Sequence, residues 1–362
     1  MKKIRIGILF GGQSGEHEIS ILSARNVVEA LDKEKYEVQL IGISKKGEWV
    51  QAKLGASRVG EGGPKSLRLE ATSQGSLTLM PGTGDLVYAS PEGKEAHLDV
   101  VLPILHGPMG EDGTVQGLLK LANLPFVGSD VLGSAACMDK ITTKRLLRGE
   151  GISVGVFWPV EFAHVSCPSY EEASKRLGAV IFVKPSNMGS SVGVSKARNK
   201  EEFEAAIELA KQYDTRLILE AFTPGREIEI AVLGNENPQV SVLGEIVPHE
   251  DFYSYAAKYE LKEGDGADLV VPALLPDHVR KKIEAVAKDS FRILNCAGLA
   301  RVDFFVTPNE EVIVNEVNTF PGFTNISMYP RLWAASGIPY AELIDRLIQL
   351  ALERHQCRAK GL

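Results

Sequence analysis

The chain opens on the apolar run "IRIGILF" at 4–10, then "GGQSGEHEIS", then apolar residues Ile21, Ala24, Val28 and Leu31 at 3-4-3 spacing. An unbroken apolar run suits a buried strand, and the spacing puts four side chains on one face of a helix. "EVQLIGIS" (37–44) reads as a second strand, "LDVVLPILHG" (98–107) as a buried parallel one and "TVQGLLKLA" (114–122) as the next helix. Strands alternating with helices predict an open parallel sheet with ligands gathered at the carboxyl ends of its strands. Residues 51–96 interrupt the alternation with polar, Gly-rich sequence and the short pieces "SLRLE", "SLTLM" and "DLVYA". They predict an antiparallel insert of small strands.

From about Ser134 the pattern changes. One helix is predicted over "CMDKITTKRLLRGEG", followed by "AVIFVKPS", a glycine-serine loop, "SVGVSKA" and a helix begun by Asn199 with Glu202 three residues on, the spacing of a capping box. "TRLILEAF" is the next strand. Antiparallel-looking strands follow: "REIEIAVLG" and "VSVLGEIV" around "NENPQ", and "ARVDFFV" and "EVIVNEVN" around "TPNE". Helical segments at 276–295 and 340–355 complete the chain, with no internal repeat. The reading divides it at 1–133, 134–224 and 225–362.

Composition narrows the class. The 362 residues suffice for two or three domains. No apolar run approaches membrane-spanning length, and "MKKIRIGILFGG" lacks the shape of a signal peptide. A formal net charge of −7 gives no reason to expect nucleic acid or an anionic membrane as partner. Cys137, Cys167, Cys296 and Cys357 form no C-x-x-C pair, which favours thiols in a reducing cytoplasm over a disulfide or zinc site.

The densest candidate chemistry is the last hairpin. Arg301 and Asp303 are two apart, as are Glu316 and Asn318, so each pair projects from one strand face. Two carboxylates and an amide beside a guanidinium offer the oxygen ligands that Mg²⁺ takes together with substrate phosphates. A solvated hairpin face would carry the same residues, but apolar Phe304, Val314 and Val317 favour a covered sheet. The loop "KPSNMGSSVG" (184–193) has phosphate-binding vocabulary without the P-loop order, since Lys184 precedes the glycines. By itself it is equally an ordinary Gly/Ser turn. Glu220 and Glu227 are ambiguous in the same way. Near the front, Glu16 lies in the first helical turn, where a carboxylate satisfies the helix dipole or meets a cationic substrate group. "LHGPMGEDG" carries His106, Glu111 and Asp112, the last placed to cap a helix. A nicotinamide-dependent dehydrogenase is the alternative from another class; "GGQSGE" is not G-x-G-x-x-G, and no acidic residue ends the second strand.

Taken in order, "GGQSGEHEIS", "LHGPMGEDGTVQG", "MDK", "VKPSNMGSSVGV", "LEAF", "GREIEI", "FYSYAAKYE", "RVDFF" and "NEVNTFPGFT" resemble the D-alanine–D-alanine ligases of the ATP-grasp superfamily over almost the whole chain. The resemblance implies an N-terminal open parallel α/β domain followed by a two-part ATP-grasp fold. It also implies a cytoplasmic, homodimeric ligase that joins two D-alanines through an acyl phosphate, using ATP and two Mg²⁺ (or Mn²⁺). By position, Lys140 and Lys184 resemble the lysines that contact ATP. Glu220, Ala221, Phe222 and Thr223 resemble the adenine-side segment, Glu227 the ribose carboxylate and Phe305 the adenine shelf; Asn315 belongs with these nucleotide-binding positions. Many relatives carry Lys-Trp where this chain has Ala221-Phe222, so adenine contacts there would rest on backbone and shape. Asp303, Glu316 and Asn318 would hold the metals. Glu16 would pair with the first D-alanine's ammonium near His106, with Arg301 and the Gly322 N–H at the oxyanion. Ser327 and the Met328 backbone would hold the second carboxylate, and Lys258 and Tyr259 would sit on a lid closing against Ser190.

Overall fold

The structure is a computed structural model that describes residues 2–54, 69–83, 85–88, 95–163, 167–249, 266–324 and 327–359. In the first layer β1 (Ile4–Gly11) leads through α1 (His17–Ala30) to β2 (Tyr36–Ile43), parallel to it. β3 (Trp49–Leu54), β4 (Leu69–Leu79), β5 (Asp85–Tyr88) and β6 (Glu95–His97) step outward from β2 antiparallel to one another. β7 (Val100–Ile104) then returns to the other side of β1, again parallel. The sheet order is therefore β6-β5-β4-β3-β2-β1-β7, and the predicted insert continues the parallel sheet instead of standing beside it. β7 is buried along its whole length, which is why its sequence shows no alternation. The buried face of α1 is Ile21, Ala24, Val27 and Leu31, whereas Val28 is only half-buried. Neighbouring helical positions differ by about 100°, so Val27 takes the buried place that the 3-4-3 spacing assigns to Val28.

After α2 (Thr114–Leu121) come α3 (Val131–Met138) and α4 (Lys140–Gly149), two helices where the sequence predicts one. The break is Asp139, whose extended backbone ends α3 and whose carboxylate accepts the Thr142 N–H at 2.7 Å to cap α4. The second sheet contains β8 (Phe157–Glu161), then, past α5 (Tyr170–Leu177), β9 (Ile181–Pro185) and β10 (Ser195–Ala197), and, past α6 (Lys200–Ala210), β11 (Arg216–Ala221). Its order is β10-β9-β11-β8. Asn199 caps α6 by accepting the Glu202 N–H at 2.9 Å. The reciprocal capping box, Ser169 with Glu172, belongs to α5.

The third sheet is antiparallel, ordered β14-β13-β12-β15-β16. It comprises β12 (Arg226–Gly234), β13 (Gln239–Pro248), β14 (Ala267–Val270) and, after α7 (Asp277–Ile293), β15 (Gly298–Val306) and β16 (Val312–Asn318). α8 (Met328–Ala335) and α9 (Tyr340–Ala359) close the fold. One face of the sheet packs Ile228, Ile230, Val302 and Phe304 on Val279, Ile283, Ala287 and Phe291 of α7. Each such large side chain contributes about 1.5–3 kcal/mol by burial. The opposite face gives Ala231, Leu233 and Leu299 to a different core, shared with α8, α9, α1 and strands β1 and β7. Along that second face the residues then turn polar: Glu229 and Glu227 on β12, Arg301 and Asp303 on β15. The sheet thus anchors its apolar end in the first layer and presents its polar end to a cavity.

Candidate active site

The cavity, about 1230 Å³, lies between the second and third sheets and reaches the first layer at Glu16 and His106. On the third sheet Arg301 stands opposite Asn318 and Asp303 opposite Glu316. The register shifts immediately afterwards, so that Phe304 faces Val314 and Asn315 is an extra residue on β16. This bulge lets Val314 and Val317, which an unbroken strand would send to opposite faces, both enter the core on α7. One row further, Glu229 of β12 stands opposite Asp303. Glu229, Asp303 and Glu316 therefore cross three neighbouring strands as a line of carboxylates. The Arg301 guanidinium donates from Nε to Asp303 Oδ1 and from Nη2 to Oδ2, both at 2.7 Å. Its Nε also lies 3.0 Å from Glu229 Oε2. Burial opposes the Arg301 charge, yet Asp303 and Glu229 hold its pKa well above the ordinary value. Asn318 Nδ2 donates to Asp303 Oδ2 at 2.9 Å.

Across the cavity, Glu220 is gripped from two sides: Lys144 Nζ lies 2.8 Å from Oε1 and Lys184 Nζ 2.5 Å from Oε2. Burial alone would raise the carboxyl pKa, but the two ammonium groups bring it down to about 2. Lys144 also donates to the Asn315 carbonyl at 2.9 Å, so one buried lysine ties α4, the second sheet and the bulge of the third. Lys140 donates to the Met188 carbonyl in the glycine-serine hairpin; burial lowers its pKa despite the nearby Glu316. The base of that hairpin is fixed by Asp139, which accepts the Ser186 hydroxyl at 2.8 Å and pairs with Arg216. The Ala221 and Phe222 N–H groups donate to the carbonyls of Val156 and Val180, so these two donors are already taken where adenine was expected to find backbone contacts. Phe222 instead stacks on Phe182, their centroids 6.3 Å apart. Glu227 and Phe305 face each other across β12 and β15 and line the cavity together with Thr223.

At the first layer, Glu16 precedes α1 and accepts the Ser190 hydroxyl, joining the hairpin tip to the carboxyl end of β1. Ser190 and Ser191 hold φ of 51° and 61°, left-handed conformations that cost non-glycine residues energy and collect at functional loops. Gly107 has a φ of +75°, and a Cβ there would come within 3.2 Å of Glu16 Oε2. The buried His106 ring lies 3.3 Å from the Phe320 carbonyl, with its pKa lowered by burial against the pull of Glu16. Glu111 accepts the Gly107 N–H at 2.5 Å; burial, reinforced by Glu16, pushes its pKa up to about 8. Asp112 accepts the Thr114 and Met109 N–H groups, but it lies one residue before the N-cap of α2, which is Gly113, so it is not the cap the sequence predicts. A Cβ on Gly322 would meet the Ser327 hydroxyl at 3.1 Å, so the backbone lies directly against Ser327. That hydroxyl bonds Thr324 Oγ1 at 2.7 Å, and Met328 begins α8.

Every candidate residue named from the sequence lines this cavity except Asp112, which does not reach it, and Lys258 and Tyr259, which lie outside the described residues. Their contact with Ser190 lies outside them as well. Sequence reasoning missed Lys144, Asp139 and Glu229. Glu229 had a visible signal, since it shares strand parity with Glu227 in "REIEI". Cys137 and Cys296, 159 positions apart, meet at 3.6 Å as free buried thiols.

Two α+β sheets facing each other over lysines, carboxylates and a glycine-serine hairpin define an ATP-grasp enzyme. Models of the D-ala D-ala ligase N-terminus and C-terminus match residues 5–129 and 146–349. D-alanine–D-alanine ligase A of Escherichia coli strain K12 is 50% identical over 357 residues, covering 98% of this chain and 97% of its own. The solved structure of the D-alanine–D-alanine ligase from Coxiella burnetii superposes with a TM-score of 0.84 at 39% identity, covering 100% of this chain and 97% of that one. That of the VanG D-Ala:D-Ser ligase from Enterococcus faecalis does so at 0.81 and 34%, covering 97% and 100%. The chain belongs to the D-alanine–D-alanine ligase family.

Proposed function

We propose how this cavity performs the reaction of its family, the ATP-dependent joining of two D-alanines into D-alanyl-D-alanine for peptidoglycan precursors. The observation that carries the reading is the convergence of Glu16, the Lys140–Lys184 pair and the Arg301–Asp303–Glu316–Asn318 group on one cavity. The cavity wall itself supports a role for divalent cations. Among the described residues, nine carboxyl groups line it against six lysines and arginines; with Glu111 protonated below about pH 8 the balance is −2, which would repel a triphosphate. Asp303, Glu316 and Asn318 supply oxygen ligands at facing positions, which suit Mg²⁺ or Mn²⁺. Two such ions held there would offset charge on the phosphate oxygens.

In this reading adenosine lies along Glu220, Ala221, Phe222, Thr223, Glu227, Phe305 and Asn315, and Lys140 and Lys184 hold the phosphates. Glu16 receives the ammonium of the first D-alanine beside His106. The carboxylate of that D-alanine attacks the γ-phosphorus and releases ADP, leaving an acyl phosphate. The amine of the second D-alanine adds to the acyl carbon, loses a proton, and phosphate departs. Arg301 and the Gly322 N–H stabilise the oxyanion, where charge grows only in the transition state. The second carboxylate sits at the start of α8 on Ser327 and the Met328 N–H, where a helix N-terminus favours an anion. Ser190, at the glycine-serine hairpin, helps keep water from the acyl phosphate.

The units 1–133, 134–224 and 225–362 are the proposed domains, and a cytoplasmic homodimer is the proposed setting. No helix of the described residues is long and apolar enough to cross a membrane. The test is ADP release across a panel of D- and L-amino acids, D-serine and D-lactate, with products identified. Release that requires D-alanine and yields mainly D-alanyl-D-alanine is the expected result. Release independent of any amino acid, or a dominant D-alanyl-D-serine product, contradicts it.

A further inference from the structure

Asp303 carries two demands at once. Both its oxygens accept from the Arg301 fork at 2.7 Å, and one also accepts from Asn318. On the reading above, the same carboxylate must serve a divalent cation, so Arg301 has to give up part of its hold and still stay aimed into the cavity. Glu229 lies where a second anchor is needed. It stands directly opposite Asp303 on the neighbouring strand, is buried to 4% exposure, and reaches the same Arg301 Nε at 3.0 Å. The strand fixes it there: Ile228 and Ile230 on either side are fully buried in the opposite core.

We propose that Glu229 is a positioning residue that shares the Arg301 guanidinium with Asp303 and retains it when Asp303 turns to a divalent cation. Two carboxylates here compete for one guanidinium. A guanidinium between two carboxylates distributes its attraction over both, and in a buried site each attraction is strong. Neutralising one carboxylate leaves the whole pull on the other. Arg301 then closes on Asp303, competes with the cation for its oxygens and swings away from the oxyanion position. Neither Arg301 nor Asp303 has changed in such a variant; only the balance between them has.

This inference rests on the metal assignment of Asp303, and the test separates the two. Mn²⁺ binding to the ADP-loaded full chain is followed by the EPR signal of free Mn²⁺, alongside steady-state kinetics and Tm. Glu229→Gln is expected to weaken Mn²⁺ binding about tenfold and to lower kcat by about tenfold, with KM for ATP within about twofold, the pattern of a lost transition-state interaction. A double-mutant cycle with Arg301→Lys should be strongly non-additive: once the fork is gone, Glu229→Gln should cost less than about twofold more, as coupled neighbours do. Glu229→Asp, which keeps the charge, should return Mn²⁺ affinity to within about threefold of wild type, which a shape defect alone would not do. If Glu229→Gln fails to fold, Glu229→Thr, neutral and suited to a strand, takes its place in the cycle with Arg301→Lys, coupling supporting the inference and additivity overturning it. Wild-type binding with an unchanged Glu229→Gln variant, or full additivity, overturns the positioning role. Failure of wild type to bind Mn²⁺ overturns the metal reading and this role with it.

Discussion

At the scale of single residues, Glu316 and Arg301 separate metal work from oxyanion work. Glu316 faces Asp303 at the end of the carboxylate row. Glu316→Gln removes a charge and one ligand geometry with little change in volume. Turnover should fall below detection while the far-UV CD spectrum and the thermal transition stay close to wild type. Near-normal activity at ordinary Mg²⁺ concentrations would remove Glu316 from the metal site. Arg301→Lys replaces a planar fork, shared between two carboxylates, by a point charge that cannot satisfy both. The expected loss in kcat is about 10²-fold, the scale of one oxyanion donor, with ATP binding measured by titration almost unchanged. A variant that loses ATP affinity and keeps kcat would move Arg301 to the phosphate site.

At the scale of elements, the central structural device is the clamp of Lys144 and Lys184 on Glu220, which joins α4 to β9 and β11. Its pH dependence has a defined sign. The Glu220 pKa drops from an ordinary 4.5 to about 2 in the folded chain. Its stabilisation is therefore complete above about pH 4.5 and disappears as the pH falls towards 2. Glu220→Gln leaves two lysines without their carboxylate, a loss of about 3–5 kcal/mol for a broken buried pair. The difference in Tm between wild type and Glu220→Gln should be largest above pH 5 and shrink steadily down to pH 2. A difference independent of pH would mean that the clamp is a packing contact. Much of this level was legible in the sequence, because period-two strands around short turns set which residues share a face. Arg301 with Asp303 and Glu316 with Asn318 were readable for that reason. The bulge at Asn315 was not, although Val314 and Val317 have opposite parity and both proved to be core. Asp139 stayed hidden because "CMDKITTKRLL" is apolar and polar in helical order throughout, and only the backbone shows that one residue leaves the helix to cap the next. Lys144 was invisible because its partners, Glu220 and the Asn315 carbonyl, lie 76 and 171 positions away.

At the scale of the whole molecule, the C-terminal helix holds the first layer and the third sheet together. Arg354 of α9 donates to the carbonyls of Gly128 and Phe126 and lies 5.1 Å from the Phe126 ring centroid. Arg354→Met keeps much of the apolar stem but orphans those carbonyls, at about 1–3 kcal/mol. Its Tm should fall by several degrees while KM for ATP, set at the far side of the cavity, stays within about twofold. An equal loss of ATP binding would show that α9 acts on the nucleotide site directly. Ligation by this molecule requires that the first D-alanine's carboxylate attack phosphorus. Full-length protein should be incubated with ATP, Mg²⁺ and D-alanine carrying ¹⁸O in both carboxylate oxygens, and the inorganic phosphate examined by mass spectrometry or ³¹P NMR. Attack through an acyl phosphate predicts one ¹⁸O per phosphate released, matched one to one by ADP and D-alanyl-D-alanine. Phosphate without ¹⁸O, with dipeptide still formed, would contradict it.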